Sequence, residues 1–561
     1  MRSLRALALY AVLTVALTWP LAFRLTIMDP GDSAFFAWVM GWEIHALKTD
    51  PLRLPHGNIF HPLTYTLGMD EPVLGTTLLV LPLAVFTDDA VLLYNVARLL
   101  TFVFSGLTAY WLARQLGCSE GPALFAGAAF AFSPIRTDQI AHLSTLGTQY
   151  LPLVLLFLHR FAANGRSRDA FLAALLFVLE ALACGYHGVI ALAVLPLSAL
   201  VLLWGRWRLF PPALLATGVA AAGLLPLYLL HQAALSPERY ARGSEETIFY
   251  AAGLEAFLAV SPWNRLWAGL TDPFRTIGPN NLFPGLVVPG LVLFAVLRFL
   301  RRKGAPSRDA VALLVLALGA IFVALGPTIR VAGHDLFPGP FALARELFPV
   351  FQKIRVTSRA GIFLALPLVL LAARALDGLK LRPSRVAALT ALALLETVVA
   401  PIPMPKWTQV IDTRQEPPPV YGWLAAQPED TPIVHVPMLD IYGLERRPAY
   451  HESIYMVYST RHWQRLVNGY AGIEPRHYVR LREMSRSLHR PGGIGAEDFL
   501  DELQAIGTRY LVLHRAGYGP IQWGRLEEVL PRLRSRLREV AALGGDTVFE
   551  LRPRVEGAAQ H

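Results

Sequence analysis

Eleven long apolar stretches, separated by short arginine clusters, occupy roughly the first 400 residues of the chain. Each approaches the roughly 20 residues that an α-helix needs to cross a bilayer. Because lipid offers the backbone no hydrogen-bond partner, such stretches must be helical. The pattern predicts a polytopic α-helical membrane protein with about 11 transmembrane helices, near 5–27, 91–113, 119–135, 146–162, 169–185, 187–205, 210–231, 284–300, 308–326, 359–376 and 385–402.

Composition supports this class and excludes others. Apolar residues make up 54% of the chain and charged residues 16%, whereas charged residues make up about 25% of soluble proteins. The net charge of +10 suggests nucleic-acid binding, but the arginines lie between apolar stretches, where they orient membrane helices. We therefore expect no nucleic-acid partner. The two cysteines, Cys118 and Cys184, exclude a disulfide framework or a cysteine-based zinc site.

The N-terminus carries Arg2 and Arg5 before an apolar run, a pattern shared by signal peptides and first membrane helices. No small-residue cleavage site follows, and Trp19 and Pro20 stand where one is expected. We expect an uncleaved first span.

The positive-inside rule then places the N-terminus in the cytoplasm and most basic clusters inside. The predicted outer segments are a long first loop at 28–90, loops at 136–145, 232–283 and 327–358, and the tail from 403. Residues 72–86 are also apolar but short, and a crossing there would turn the later clusters outward. We interpret them as a re-entrant or interfacial segment within a membrane domain of residues 1–402.

The tail is richer in charge and is predicted to be an extracytoplasmic soluble α/β domain, residues 403–561. Alternating apolar residues predict strands at 431–438, 510–514 and 547–551, and helical spacing predicts helices near 500–506 and over 525–542. Between the first two strands, residues 455–472 are rich in Tyr, Trp, Arg and Asn. Such a run suits either stacking on sugars or docking onto the membrane domain.

The first outer loop begins with two acidic residues. Residues 33–48 have amphipathic spacing, and Trp38 and Trp42 suit a helix lying in the membrane interface. Asp32 stands just before this helix, so it is either an N-cap or a carboxylate base, and the two roles are compatible. Asp29 begins an Asp-Pro-Gly sequence typical of a turn.

Other polar residues gather in the predicted outer loops. His56 and His61 match no established metal-site spacing, and Glu71 is expected to point into a polar cavity. Residues of the second outer loop either form an ordinary hydrated loop or bind phosphate or sugar; they are Arg136, Asp138, Gln139, His142 and Gln149.

Later outer segments add basic candidates. His187 lies in a tight turn after Tyr186, and Arg239 opens the loop at 232–283. Arg355 and Arg359 break the charge bias on the outer face. Either an anionic ligand such as a lipid phosphate explains them, or they pair with Glu346 or lipid headgroups. No phosphate-binding loop, nucleophile elbow, zinc-protease or dinucleotide motif appears in a suitable context.

Several stretches resemble the C-type (GT-C) membrane glycosyltransferase superfamily, and within it YfhO-like and uncharacterised bacterial membrane glycosyltransferases. The resemblance covers the architecture of nearly the whole chain. The matching stretches are Gly31-Asp32, the following helix, HGNIFHP at 56–62, AFAFSPIRTDQIAHLSTLGTQYLPL at 129–153, and YSTRHWQRLVNGYAG and IGTRYLVLH in the tail.

The resemblance implies an inverting hexosyl or pentosyl transferase of the bacterial inner membrane. It would move a sugar from a polyprenyl-phosphate donor to a glycan, lipid or protein acceptor on the outer face. Asp32 would be the general base and arginines would hold the leaving phosphate. The substrate-binding residues expected are Asp29, His56, Glu71, Arg136, Gln139, His142, Gln149, His187, Arg239, Arg355 and Arg359.

The chain departs from better-known members in lacking a clear Asp-Asp or Asp-Glu pair, because Asp29 and Asp32 are three residues apart. No cofactor is expected, and the dependence on a divalent metal ion is left open. Two other functions fit the architecture: a transporter or flippase of a lipid-linked intermediate, and a non-catalytic envelope assembly protein. Replacing Asp32 by Asn separates them, because only the enzyme should lose activity while inserting normally.

Overall fold

The computed structural model describes residues 1–235, 245–276, 280–301, 305–402, 410–439 and 452–554. A helix lies at each of the eleven predicted spans. The helices up to residue 402 are α1 Arg2–Leu17, α2 Asp32–Thr49, α3 Leu74–Thr77, α4 Leu81–Ala84, α5 Ala90–Gln115, α6 Glu120–Ala131, α7 Pro134–Thr137, α8 Leu143–Leu146, α9 Leu151–Asn164, α10 Ser167–Ala183, α11 Gly185–Leu203, α12 Phe210–Ala234, α13 Glu245–Phe249, α14 Ala268–Thr271, α15 Val287–Leu300, α16 Arg308–Ala324, α17 Pro340–Leu347, α18 Gly361–Gly378 and α19 Pro383–Leu395.

Four helical segments among the described residues are long and apolar enough to cross a membrane: Ala90–Gln115, Gly185–Leu203, Trp207–Ala234 and Thr357–Gly378. The other helices at predicted spans are shorter. The first ends at Leu17, well before the predicted residue 27, because the residue before a proline disfavours helical backbone and Pro20 follows. The count of eleven crossings stays a prediction.

The apolar stretch at 72–86 forms two four-residue helices, α3 and α4. A span needs about 17 residues or more, so neither crosses a bilayer. Gly75 brings α3 against α10, where an added Cβ would lie 2.2 Å from the carbonyl oxygen of Leu179. The segment is packed into the protein by this close approach.

The strands of the described residues are β1 Ile27–Met28, β2 Thr328–Val331, β3 His334–Pro338, β4 Ile411–Asp412, β5 Pro432–Val436, β6 Arg465–Leu466, β7 Tyr510–His514, β8 Leu537–Leu543 and β9 Asp546–Leu551. The tail forms a five-stranded sheet in the order β6-β5-β7-β9-β8. Strand β5 pairs in parallel with both β6 and β7, and β9 pairs antiparallel with both β7 and β8. The tail helices are α20 Pro419–Ala425, α21 Glu452–Ser459, α22 Arg476–Ser485, α23 Ala496–Ala505 and α24 Pro520–Val529.

The helix predicted over 525–542 is wrong in its second half. Helix α24 ends at Val529, and Leu537–Leu543 is the edge strand β8. Pairing with β9 decides the conformation here, because tertiary context overrides a weak helical spacing.

The prediction that residues 33–48 lie in the membrane interface is also wrong. Helix α2 is buried nearly all round, and Trp38 and Trp42 are 1% and 2% exposed. It packs between α5 and the tail helix α21. Its apolar residues belong to one hydrophobic core with the tail sheet, including Val434 and Leu511.

Backbone hydrogen bonds also join the first outer loop to the tail. The amide of Phe60 donates to the carbonyl of Asn468 (3.0 Å), and that of Leu466 donates to Asn58 (2.7 Å). The first outer loop and the tail thus share a hydrophobic core and backbone hydrogen bonds. The division into two domains at residue 402 stays a prediction.

Candidate functional site

A cavity of about 1880 Å³ lies where the first outer loop, the second outer loop, helices α11 and α12, the 342–359 segment and the tail meet. One part of its wall is apolar and comes from α11 and α12. The other part is charged. The acidic and basic side chains lining it among the described residues are Asp29, Asp32, Asp70, Glu71, Asp138, Glu346, Arg98, His142, His231, Arg345, Arg355 and Arg359.

Asp32 occupies the first residue of α2, and the N-cap position belongs to Gly31. The sequence interpretation of Asp32 as the cap is therefore wrong. Gly31 adopts φ +98° and ψ −143°, a conformation that a side chain disfavours, and its amide donates to Oγ of Ser453 at 2.7 Å. The turn thereby sets the position of the Asp32 side chain.

Both carboxylate oxygens of Asp32 are engaged. Oδ1 accepts a hydrogen bond from the Tyr470 hydroxyl at 2.5 Å, and Oδ2 lies 3.0 Å from Nε2 of His142. Burial alone would raise the pKa of Asp32, but the hydrogen bond and charge of His142, with help from Tyr470 and Arg359, hold that pKa below its ordinary value. Asp32 is therefore ionised at neutral pH, and 41% of its side chain is exposed.

Asp29 presents a contrasting carboxyl to the same cavity. Burial raises the pKa of Asp29 to about 6, against a smaller lowering by the charge of Arg98. Its Oδ1 is buried without a hydrogen-bond partner. Two carboxyls three residues apart thus differ in acidity, because one is hydrogen-bonded in its charged form and the other is mainly desolvated.

The statement that the chain lacks an acidic pair is wrong, because adjacent Asp70 and Glu71 both line the cavity. Asp70 accepts hydrogen bonds from the amides of Glu71 (2.7 Å) and Gly472. Burial raises the pKa of Asp70, and the neighbouring Glu71 adds to this rise. The adjacent residues Asp70 and Glu71, directly before residues 72–86, could have indicated this pair from the sequence.

Glu71 links the first outer loop to the basic cluster predicted on the outer face. Its Oε1 accepts from the amide of Tyr186 at 2.8 Å, and its Oε2 lies 3.7 Å from Nη1 of Arg359. The Arg359 guanidinium also covers the Tyr186 ring at 4.5 Å, and that of Arg355 covers Tyr250 at 5.3 Å. Arg359 thus pairs with Glu71, and not with Glu346 as the alternative interpretation held.

The second outer loop contributes Asp138, Gln139 and His142 to the cavity wall. Asp138 accepts a hydrogen bond from Nδ2 of Asn281 at 3.0 Å. Burial raises the pKa of Asp138. Part of this loop is therefore a cavity wall, and the binding of phosphate or sugar by these residues stays a prediction.

Four other predicted residues do not line the cavity. Arg136 is fully buried and donates to Ser105 Oγ (3.0 Å) and the Leu146 carbonyl (2.9 Å), so it fastens the loop from inside. The remaining three are bound elsewhere: Gln149 to Thr76, His187 to Glu180 and His56 to Tyr65. The candidate Arg239, in the predicted loop at 232–283, lies outside the described residues.

Sequence reasoning allowed residues 455–472 to dock onto the membrane domain but named no tail residue in the site. Tyr470 and Gly472 contact Asp32 and Asp70, and both close the aromatic run 455–472 that the sequence singled out. Arg98 was missed because it stands within the predicted span 91–113, and Arg345 was missed within the predicted outer loop at 327–358. Within the described residues, no three His, Cys, Asp or Glu side chains group closely enough to hold a metal ion.

Comparisons with known proteins identify the family and the fold. A family model, "Domain of unknown function (DUF6311)", matches residues 38–398. No curated protein matches the sequence.

Solved structures match over almost the whole chain. Two cryo-EM classes of the arabinofuranosyltransferase AftD from Mycobacteria align with TM-scores of 0.58 and 0.54 at 16% and 17% identity, covering 98% of this chain and 42% and 41% of AftD. The archaeal oligosaccharyltransferase AglB from Archaeoglobus fulgidus, in complex with an inhibitory peptide and a dolichol-phosphate, aligns with a TM-score of 0.50 at 14% identity, covering 97% of this chain and 74% of AglB.

This chain spans less than half the length of AftD, and at such identities the likeness concerns the fold. That fold is the GT-C fold expected from the sequence. The chain belongs to the DUF6311 family and has the fold of the C-type membrane glycosyltransferases.

Proposed function

We propose that the chain is a membrane glycosyltransferase that moves a sugar from a polyprenyl-phosphate donor to an acceptor on the extracytoplasmic face, with inversion. One observation carries the proposal: carboxylates, guanidinium groups and an apolar wall line the same cavity. A polyprenyl-phosphate sugar has a matching sequence of parts, namely an apolar tail, a charged phosphate and a polar ring.

The apolar wall supports a lipid donor. Leu192 of α11 and Leu224, Leu227 and Tyr228 of α12 line the cavity, and the outer face of α12 exposes large apolar residues such as Leu229. A prenyl chain can therefore pass from the bilayer along α12 into the cavity. AglB was solved with a lipid of this class, a dolichol-phosphate.

The arginines support phosphate as the leaving group. Arg98, Arg345, Arg355 and Arg359 all line the cavity. When the bond between the anomeric carbon and the phosphate oxygen breaks, negative charge grows on the phosphate. Guanidinium groups already fixed in place stabilise that charge without reorganising, and Arg359 is fixed by Glu71 and Tyr186.

Asp32 is proposed as the general base. An acceptor hydroxyl oxygen attacks the anomeric carbon from the side opposite the phosphate, its proton passes to the Asp32 carboxylate, and polyprenyl phosphate leaves with the bonding electrons. A single displacement of this kind inverts the anomeric centre. Tyr470 and His142 hold the carboxylate in its ionised form, so it can accept a proton without losing one first.

Asp29 is the competing base. Its pKa of about 6 is closer to neutral pH, where general bases work best, and its buried Oδ1 accepts no hydrogen bond. Asp32 is preferred because it stands at the N-terminus of a buried helix whose position the tail fixes.

The proposal is tested with purified protein in liposomes containing, in turn, polyprenyl-phosphate hexoses and pentoses. Release of free polyprenyl phosphate from one donor, dependent on an added acceptor and on Asp32, is the expected result. A chelator and added Mg²⁺ or Mn²⁺ form further arms that test metal dependence. Movement of an intact lipid-linked sugar across the bilayer without release would indicate a flippase instead.

A further inference from the structure

A second cavity, of about 680 Å³, lies on the far side of α2 from the site described above. It is formed by the C-terminal half of α2, the start of α5 and the turn after α21. None of its lining residues lines the large cavity.

Aromatic rings form one wall of this second cavity. Trp463 lines it, and one face of its ring stacks on His45 at 4.4 Å and 20° while its edge meets Trp42 at 5.6 Å. Tyr458 lines the cavity beside it. The rings present a fixed apolar surface, because His45 and Trp42 leave the indole little freedom to turn.

The backbone of Trp463 is unusual. Its φ is +52°, in the left-handed region that a bulky side chain rarely adopts. Such a conformation persists only where the surrounding structure imposes it, and it concentrates at binding and catalytic sites. With this backbone conformation, Trp463 lies in the cavity wall.

The remaining wall is polar and balanced in charge. Asp88 pairs with Lys48 at 2.7 Å, and Asp89 caps α5 and accepts from the Thr413 hydroxyl at 2.5 Å. Arg461 supplies the second cation. Among the described residues that line this cavity, two carboxylates face two cations. This part of the wall carries no excess positive charge to attract a phosphate or a nucleic acid, so it suits an uncharged ligand.

We propose that this second cavity binds a neutral oligosaccharide. The carbon-bound hydrogens of a sugar ring form an apolar face that stacks on Trp463 and Tyr458, as apolar groups do on aromatic rings. Its hydroxyls both donate and accept hydrogen bonds, which matches Asp88, Lys48 and Arg461. Among uncharged ligands, a carbohydrate joins these two properties.

The location separates this site from the proposed transfer chemistry. Helix α2 carries Asp32 at its first residue and His45 thirteen residues later, which places the two roughly 20 Å apart at about 1.5 Å per residue. Binding here therefore requires no donor and no reaction, so it is measured independently of the proposed function.

Calorimetry on the full chain in nanodiscs tests the proposal. The probes are neutral hexasaccharides of glucose, mannose, galactose and arabinose, with a sulfated hexasaccharide as the charged competitor. At least one neutral probe should bind, and Trp463→Ala should weaken it about 10-fold, the equivalent of 1.4 kcal/mol. Arg461 is exposed, so Arg461→Ala provides a second variant that is expected to keep the fold intact.

Controls separate this site from the transfer site and from general tail binding. Trp523→Ala changes a tail tryptophan that packs on Tyr518 away from the cavity, and it should bind as the wild type does. Asp32→Asn should also bind unchanged even when transfer is lost. The proposal is overturned if no neutral probe binds, if Trp463→Ala and Arg461→Ala bind like the wild type, or if the sulfated probe competes equally.

Discussion

The hydroxyl of Tyr470 donates a 2.5 Å hydrogen bond to Oδ1 of Asp32, across 438 residues of sequence. Two positions later, the amide of Gly472 donates to the side chain of Asp70. The tail thereby supplies groups that hold two carboxylates of the first outer loop in the cavity. This geometry makes the tail a part of the site, and the proposed chemistry should respond to changes in it.

Replacing Tyr470 by Phe should reduce turnover and shift its pH dependence. The hydroxyl stabilises the charged form of Asp32, so its loss raises the pKa of that carboxyl and moves the acid limb of the pH–rate profile to higher pH. Loss of the bond also frees the carboxylate to turn away from the acceptor hydroxyl. A hydrogen bond to a charged group contributes about 1.5–3 kcal/mol, so this loss of positioning should lower turnover by about 10-fold at a pH where Asp32 is ionised in both proteins. A profile identical to that of the wild type would show that the bond has no part in catalysis.

Replacing Arg359 by Ala should slow transfer because the leaving phosphate loses a fixed cation. Removing one such group costs about 10²–10³-fold in turnover elsewhere. Arg359→Lys keeps the charge but not the planar fork and should fall between Ala and the wild type. Arg298→Ala, at an exposed arginine bonded to the Gly378 carbonyl, is the matched control; equal losses in both alanine variants would contradict a specific role.

Replacing Glu43 by Gln should flatten the pH dependence of stability. Glu43 is fully buried and accepts hydrogen bonds from the Val73 amide at 2.9 Å and from the Thr77 hydroxyl. Burial raises the pKa of Glu43 from 4.5 to about 8. The native state therefore keeps a proton that the unfolded chain releases, so the free energy of unfolding falls as the pH rises through that window.

The measurement is the midpoint of thermal unfolding in detergent between pH 5 and 8.5. The wild-type midpoint should decline more steeply with pH than that of Glu43→Gln. Parallel curves would indicate that Glu43 is equally acidic in both states.

Reporter fusions test the sidedness on which the proposed extracytoplasmic site depends. Alkaline phosphatase fused after residue 145 or in the tail should be active, and a fluorescent protein fused after residue 165 should fold in the cytoplasm. The opposite pattern would place Asp32 and the tail on the cytoplasmic side and exclude the proposed donor and acceptor face.

Much of the fold could be predicted because hydrophobic length and strand alternation are local signals. A helix lies at each predicted span, and strand β7 occupies the predicted residues 510–514. Local spacing was misleading where long-range packing decides: residues 537–543 pair as a strand, and α2 is buried by the tail on the face assigned to the membrane interface.

The site was predictable only in part for the same reason. Asp32, Glu71, His142, Arg355 and Arg359 do line one cavity, since polar residues near apolar stretches collect where water or ligand can reach them. Arg136 shows the same sequence pattern, but its guanidinium group instead donates hydrogen bonds to Ser105 Oγ and to the Leu146 carbonyl. No local sequence pattern distinguishes an arginine that lines a cavity from one that fastens a loop. Nor does any local pattern predict that Tyr470 contacts Asp32.

The central claim is that Asp32 takes the acceptor proton in glycosyl transfer, and the turnover of Asp32→Asn beside Asp29→Asn tests it most directly. Both variants are assayed in liposomes with the donor that the wild type uses, once each has been shown to have the same thermal unfolding midpoint as the wild type. The account predicts that Asp32→Asn loses about 10²–10⁴-fold in turnover, as expected for loss of a general base, while Asp29→Asn stays near the wild-type rate. Full turnover by Asp32→Asn, or the larger loss in Asp29→Asn, would contradict it.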